Sequence, residues 1–90
     1  MSKKLSCLIF LSISPREKVA KVEYELLRIN NIKIIYEVLG WYDLCLEVEA
    51  DRDEELGSII HYISQIEGVR SISTFVISKK ITGFNSKVEF

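Results

Sequence analysis

The chain has 90 residues, of which 48% are hydrophobic and 28% are charged, and this composition predicts one small globular domain rather than a disordered segment. Its net charge of −1 comes from interspersed acidic and basic residues. Direct nucleic-acid binding is therefore not expected, because phosphate neutralisation requires clustered lysine and arginine. The apolar runs are far shorter than the roughly 18 residues of a membrane span, so no membrane association is expected.

The chain begins MSKKLSCLIFLSI, with two lysines before an apolar run, as a signal peptide does. No small-residue cleavage site follows, however, and the run alternates with serine as a strand does. Cys7 and Cys45 each lie among apolar strand residues, which predicts buried free thiols rather than a disulfide or a metal pair. We therefore expect a cytoplasmic protein without a metal or a cofactor.

The first half of the chain predicts a strand, a helix and a second strand. Residues 5–13 alternate so that one face carries Leu5, Cys7, Ile9, Leu11 and Ile13. Ser14, Pro15 and Glu17 are typical of a capped helix start. The helix then carries an apolar stripe of Val19, Val22, Leu26 and Ile29. Asn31 is expected to end it in a left-handed conformation, and residues 32–39 predict the second strand.

The second half repeats this pattern. Residues 43–50 predict a strand, Asp51 and Glu54 resemble the same capping pattern, and Gly68 is expected to end the second helix. The inward stripe of that helix is Leu56, Ile59, Ile60, Ile63 and Ile66. Residues 69–78 predict the fourth strand.

The shift that carries Ser14 onto Asp51 also carries Leu26 onto Ile63, so the chain consists of two βαβ units. Two such units with right-handed crossovers predict an α+β fold. The expected architecture is a ferredoxin-like split βαβ sandwich (βαββαβ), in which a four-stranded antiparallel sheet carries two helices on one face.

The other face of such a sheet is predicted to carry large apolar side chains, namely Leu8, Phe10, Ile35, Ile72 and Val76. One interpretation is scattered surface residues, which are common. We favour an interface, because each such side chain left in water forgoes roughly 1.5–3 kcal/mol. The domain, residues 1–80, is thus expected to dimerise through this face. Residues 81–90 form a tail that is expected to add a strand within the assembly.

The hairpin between the two halves, EVLGWYDL, carries two aromatic residues and an acid. One interpretation is packing, with Trp41 and Tyr42 covering the rim of a core or an interface. The other is a small-molecule pocket, in which backbone N–H groups near Gly40 bind a carboxylate and Asp43 binds an ammonium group. The residues by themselves leave both interpretations open.

Two stretches, IYEVLGWYDLCLEVEA and IEGVRSISTFVISK, resemble the effector domain of the Lrp/AsnC regulators, also called the RAM domain. The resemblance implies the ferredoxin-like fold, dimers made by packing sheets, and octamers or similar rings built from those dimers. It also implies an effector site at the interface between dimers that uses a Gly-x-x-Asp loop. The matching loop positions are Gly40, Trp41, Tyr42 and Asp43. A second wall of the site is expected at Arg70, Ser71, Ile72, Ser73 and Thr74.

The chain departs from the family pattern in two ways. The family often has Thr-x-Thr in the last strand, where this chain has Ile72 and Thr74, so one hydroxyl is missing and a different or weaker ligand is expected. Full-length members also carry an N-terminal helix-turn-helix domain. Because strand one begins at Leu5, a stand-alone effector domain is expected here.

The resemblance implies an oligomeric module that binds an amino acid or a similar small zwitterion and has no DNA-binding domain of its own. Such a module would tune amino-acid-responsive transcription by co-assembling with full-length Lrp/AsnC regulators. Two other classes stay open. One is a small dimeric enzyme of the cofactor-free oxygenase or isomerase type, for which His61 is the obvious candidate base. The other is a structural assembly subunit without a ligand. No catalytic residue is predicted.

Overall fold

The computed structural model describes residues 4–83, and its elements follow the order β-α-β-β-α-β. The elements are β1 (Leu5–Ile13), a 3₁₀ turn (Arg16–Lys18), α1 (Val19–Leu26), β2 (Ile32–Glu37), β3 (Leu44–Ala50), α2 (Asp53–Ser64) and β4 (Val69–Val76). The sheet has the strand order β2-β3-β1-β4, and all neighbouring strands are antiparallel. The predicted ferredoxin-like fold is confirmed. The predicted tail strand falls largely on residues that lie outside the described range.

One face of the sheet packs against both helices and forms the core. Because successive strand side chains alternate between faces, every second residue of β1 and β3 points to this side. The buried cluster consists of Cys7, Ile9, Leu11, Ile13, Val22, Leu26, Leu44, Leu46, Val48, Ala50, Leu56, Ile59 and Ile63. Burying each of the larger side chains contributes roughly 1.5–3 kcal/mol. The predicted faces of β1, α1 and α2 are confirmed.

The opposite face of the sheet, called the open face below, is defined by the strand register. Residues directly opposite each other on antiparallel strands point to the same face. Phe10 lies between Cys45 on β3 and Ser73 on β4, and Leu8 lies opposite Phe75. By the same register the open face carries Ser6, Leu8, Phe10, Ser12, Ile34, Tyr36, Cys45, Glu47, Glu49, Ser71, Ser73 and Phe75.

The predicted apolar patch on this face is correct for Leu8 and Phe10 and wrong for its other members. Ile35, Ile72 and Val76 lie opposite Leu46, Leu11 and Cys7 of the buried cluster. In β4 both alternating sets contain apolar residues, so the sequence alone does not say which set faces the helices. The register decides this, and it includes a bulge next to Ser12 that leaves Arg70 without a partner.

Both predicted capping patterns are wrong. Pro15 is extended, no side chain caps the 3₁₀ turn, and the N–H of Ser14 donates to the Gly68 carbonyl at 2.9 Å. At α2 no side chain caps the helix N-terminus. Instead, the carboxylate of Glu55, inside the helix, accepts the backbone N–H of Asp51 at 2.6 Å. This hydrogen bond lowers the pKa of Glu55. The spacing of the acids along the sequence therefore did not predict which backbone N–H group each of them would bind.

Asn31 does not end α1 through a left-handed conformation, because no described non-glycine residue has a positive φ. Its Nδ2 instead donates to the Glu49 carbonyl at 2.9 Å, and its carbonyl accepts the Glu49 N–H at 3.0 Å. Gly68 does have a positive φ of +104°, and a Cβ there would lie 3.1 Å from Cβ of Lys18. Glycine is thus needed where the start of β4 approaches the turn before α1.

Candidate functional site

Residues 38–43, called the β2–β3 loop below, join the two βαβ units. Gly40 has a φ of +136°, a conformation that residues with a side chain rarely adopt. Two hydrogen bonds hold the base of the loop: the N–H of Val38 donates to the Asp43 carbonyl at 2.9 Å, and the N–H of Asp43 donates to the Leu11 carbonyl at 2.8 Å. The loop is therefore anchored to the central strand β1.

The two aromatic residues of this loop lie in different environments. Tyr42 packs over the open face, where its hydroxyl is 2.7 Å from Oγ of Ser73 and its ring centroid is 5.5 Å from that of Phe10. Phe10 in turn meets Phe75 edge-on, with the centroids 5.9 Å apart. Aromatic pairs of this kind contribute about 0.5–1.5 kcal/mol each beyond burial. Trp41, by contrast, is 96% exposed.

An open cavity of about 510 Å³, called the aromatic cavity below, lies where the β2–β3 loop meets the open face. Its lining residues, all uncharged, are Phe10, Val38, Leu39, Gly40, Trp41, Tyr42 and Ser71. The hydroxyl of Ser71 is 2.5 Å from that of Ser12. Within residues 4–83, the backbone N–H groups of residues 39–42 make no hydrogen bond. The walls of the cavity are mostly apolar side chains.

Asp43 lines a different cavity of about 290 Å³, called the charged cavity below. The other lining residues are Arg16, Val19, Glu37, Val38 and Leu39. One carboxylate oxygen of Asp43, Oδ2, accepts the backbone N–H of Ile13 at 2.6 Å, and this bond is partly buried. Asp43 therefore anchors the loop to the end of β1 through both its backbone and its side chain.

The predicted second wall of the site is divided between the two faces of β4. Ser71 and Ser73 lie on the open face, with Tyr42. Ile72 and Thr74 lie opposite core residues of β1, on the helix face, and Arg70 is exposed at the bulge. The hydroxyl missing at Ile72 is consequently remote from the aromatic cavity. The serine hydroxyls are the polar side-chain groups that β4 presents beside the loop.

A pair of acids beside the charged cavity was not predicted from the sequence. Hydrogen bonding to Glu37 at the end of β2, burial and the charge of Glu37 together raise the pKa of Glu23 on α1 to about 7. The two residues belong to different elements, so only the packing of α1 against the sheet reveals that they meet.

The remaining candidates lie apart from the loop. His61 is exposed on α2 and accepts the hydroxyl of Ser64 through its backbone carbonyl at 2.6 Å. Cys7 and Cys45 are buried free thiols on opposite faces of the sheet, as predicted, and burial raises the pKa of both. Across residues 4–83, neither helix has the length and apolar character needed to cross a bilayer.

The element order and sheet topology define a small ferredoxin-like domain with a glycine loop between its two βαβ units. A family model described as the Lrp/AsnC ligand binding domain matches residues 6–84. The chain belongs to this family.

Two relatives share this stretch of sequence. The chain is 32% identical over 75 residues to the HTH-type transcriptional regulator FL11 of Pyrococcus abyssi. The matched stretch covers 82% of this chain and 50% of FL11. It is also 32% identical over 78 residues to a homocitrate synthase of Saccharolobus islandicus. That matched stretch covers 87% of this chain and 17% of the enzyme. The chain thus spans half of the regulator and a small part of the synthase.

Solved structures share the fold. The crystal structure of FFRP-DM1 superposes with a TM-score of 0.76 at 27% identity, covering 81% of this chain and 97% of that one. The structure of E. coli AsnC superposes with a TM-score of 0.82 at 16% identity, covering 93% of this chain and 57% of AsnC. The FFRP-DM1 match extends over nearly the whole length of that chain.

Proposed function

We propose that this domain binds an amino-acid effector in the aromatic cavity and transmits the binding through self-association. The observation that carries the proposal is the cavity formed by Gly40, Trp41 and Tyr42 together with Ser71, within a family of ligand-binding domains. Asp43 supports the site by anchoring the loop. The proposal includes a cytoplasmic location and assigns no catalytic role to His61.

Calorimetry with each of the standard amino acids tests the effector function. We expect at least one to bind with a Kd below about 1 mM, which corresponds to roughly −4 kcal/mol. Trp41→Ala should weaken that binding without lowering the unfolding temperature, because the side chain is 96% exposed. Tyr24→Ala is the matched control, since Tyr24 is 69% exposed on α1 and should leave affinity unchanged. Absence of binding by every amino acid would contradict the effector function.

We further propose that the open face is the surface of self-association, with rings built from the resulting dimers. Phe75 is 58% exposed and lies beside Leu8 and Phe10 on this face. Contiguous apolar surface of this kind is characteristic of interfaces, and covering it gains roughly 25 cal/mol per Å². Residues 81–90 are proposed to add a strand within the assembly.

Light scattering on two neighbouring variants tests this interface. Phe75→Asp should produce monomers, because it places a charge in the proposed contact. Val76→Asp should stay assembled, because Val76 is similarly exposed at 52% but lies on the helix side of β4. A wild-type monomer at micromolar concentration, or equal loss of assembly in both variants, would contradict the open face as the interface.

We propose that the domain influences transcription by co-assembling with full-length Lrp/AsnC regulators. The support is that the FL11 regulator contains a related stretch in half of its length. An effector could act here by binding one assembly better than another. Co-purification with a regulator of this family should succeed for the wild type and fail for Phe75→Asp. Failure of the wild type to co-purify at any mixing ratio would remove this part of the proposal.

A further inference from the structure

We propose that the helix layer carries a second ligand site, a cavity between α1 and α2 that binds the ammonium group of a small organic ligand with an apolar body. The cavity, called the helix cavity below, has a volume of about 490 Å³. Pockets for small ligands commonly have roughly 300–1,000 Å³. The helix cavity shares no lining residue with the aromatic cavity and lies on the helix side of the sheet, away from the open face. The inference therefore goes beyond the proposed effector function and does not depend on it.

The floor of the helix cavity is apolar. Ile59 on α2 lines it and belongs to the buried cluster, and Ile29, just after α1, lines it and packs against that cluster. Tyr62, three residues after Ile59 on α2, lines it with a side chain that is 45% exposed. An aromatic ring attracts a neighbouring cation to its face. The floor therefore suits a ligand whose hydrocarbon body is joined to a positively charged group.

Three polar residues that line the cavity, called the acceptor wall below, are Asn31, Glu55 and Ser58. Their own donors are already used inside the protein. The hydroxyl of Ser58 donates to the Glu54 carbonyl at 3.1 Å, and Nδ2 of Asn31 donates to the Glu49 carbonyl at 2.9 Å. A hydroxyl and a side-chain amide that have spent their donors still offer oxygen lone pairs. The acceptor wall therefore asks for a ligand that donates hydrogen bonds.

Glu55 gives this wall a negative charge. Its Oε1 accepts the backbone N–H of Asp51 at 2.6 Å. This bond and hydrogen bonding to Asn31 lower the pKa of Glu55, so its carboxylate is ionised at neutral pH. A carboxylate has about four acceptor positions, so positions remain free for a ligand. An ammonium group has three donors and no acceptor, and it would form a charge-assisted hydrogen bond here.

Arg28 at the end of α1 also lines the cavity and restricts what else the ligand can carry. Its Nη1 lies 3.8 Å from Oε1 of Glu25, which is longer than a hydrogen bond, so the guanidinium donors stay available. A second ammonium group on the ligand is repelled by this charge, whereas a carboxylate is attracted. The expected ligands are therefore monoamines with an apolar body, and a zwitterion should bind at least as well as the plain amine.

Methyl NMR on isoleucine-labelled wild-type protein tests the site with three probes of similar shape. 3-Methylbutylamine should shift the signals of Ile29 and Ile59 with a Kd below about 10 mM and leave those of the core residues Ile9 and Ile13 unchanged. L-Leucine, which adds a carboxylate, should bind there at least as tightly. 4-Methylpentanoate, which lacks the ammonium group, should bind at least about tenfold more weakly than the amine. Unchanged Ile29 and Ile59 signals at about 10 mM amine, or equal binding of the amine and the acid, would overturn the proposal.

Two neighbouring acids assign the charge. Glu55→Gln keeps an oxygen to accept the Asp51 N–H, and it should weaken binding of the amine at least about tenfold. Glu54→Gln is the matched control, because it makes the same change of charge on an exposed residue that does not line the cavity. It should leave the dissociation constant within about twofold, as expected for a distant exposed charge. Equal effects of the two variants would mean that the amine responds to the general charge of the helix start, against the proposal.

Arg28→Gln tests the ligand class without touching the acceptor wall. Removing this exposed charge should tighten the amine and weaken L-leucine, each by about two- to fivefold. A change in the same direction for both ligands would contradict the assigned role of Arg28.

Trp41→Ala separates this site from the effector function. Trp41 lines the aromatic cavity and not the helix cavity, so the shifts caused by the amine should be the same as in the wild type. Loss of these shifts in Trp41→Ala would overturn the helix cavity and leave the effector function standing. Amine binding at Ile29 and Ile59 would support the helix cavity even if no amino acid binds in the aromatic cavity.

Discussion

The two sides of the β2–β3 loop differ in their chemistry although they are only a few residues apart. The aromatic cavity is lined entirely by uncharged residues and opens onto the face of the sheet that carries Phe10 and Phe75. The charged cavity contains Arg16, Glu37 and Asp43 and lies beside the start of the helix layer. The loop therefore separates an uncharged surface, where we propose ligand binding and self-association, from a charged surface that anchors the loop.

On the charged side, Asp43 has a structural role, because its side chain anchors the loop to β1. Its carboxylate accepts the partly buried backbone N–H of Ile13 at 2.6 Å. The comparison predicts that substitutions on the charged side change stability alone, whereas substitutions on the aromatic side also change binding and assembly. Four variants measure what each side contributes to stability, beginning with the largest expected effect.

Asp43→Ala should destabilise the domain most, because it leaves the Ile13 N–H without its acceptor. Losing a hydrogen bond to a charged group costs about 1.5–3 kcal/mol. For a domain of this size, each kcal/mol lowers the unfolding temperature by about 4–8 °C. Asp43→Asn retains an acceptor and should lose clearly less in the same thermal unfolding experiment. Equal unfolding temperatures for the wild type and Asp43→Ala would show that the carboxylate does not anchor the loop.

Gly40→Ala should cost at least about 1 kcal/mol, because alanine disfavours a positive φ. A Cβ at Gly40 would have no atom within 4 Å, so the cost is conformational rather than steric. Gly57→Ala is the matched control, since its Cβ also meets open space but its position is helical. That control should stabilise α2 by roughly 0.5–1 kcal/mol in urea unfolding. Shifts of the same sign in both variants would contradict this explanation.

Tyr42→Phe removes the hydroxyl that pairs with Ser73 and keeps the ring against Phe10. The expected loss is about 0.5–1.5 kcal/mol in denaturant unfolding, as for a single neutral hydrogen bond. Ser73→Ala should give a similar loss. The double variant should lose less than the sum of the single ones, because both remove one shared interaction. Strict additivity would mean that the two hydroxyls act independently.

Glu23→Gln should have the smallest effect at a single pH and be visible mainly as altered pH dependence. The pKa of Glu23 is raised from 4.5 to about 7, so folding favours the protonated acid. Its stabilising contribution is fully present below pH 4.5 and is lost as the pH rises through about 7. Urea unfolding between these values should show stability falling with pH in the wild type, and a flatter profile in Glu23→Gln. Parallel profiles would exclude the Glu23–Glu37 pair as the cause.

Much of the fold follows from local patterns. The alternation in β1 and the apolar stripes of α1 and α2 identified the buried faces, because the periods of strands and helices are set by backbone geometry. The capping patterns failed at both helices: no side chain caps the 3₁₀ turn before α1, and at α2 several acids lie near the start, so that the one that accepts a backbone N–H depends on how the preceding loop folds. Glu55, rather than Asp51 or Glu54, fills that role at α2.

The sequence by itself determined the two βαβ halves, the glycine loop between them and the family to which they belong. Only the tertiary structure decided how the candidate site divides. Alternation says which residues of a strand share a face, but register and a bulge place Ser71 and Ser73 beside Tyr42 and turn Ile72 and Thr74 toward the helices. In the same way, only the structure shows that the side chain of Asp43 accepts the Ile13 N–H and so anchors the loop. Hydrogen bonds between residues far apart in the sequence depend on packing that no local pattern encodes.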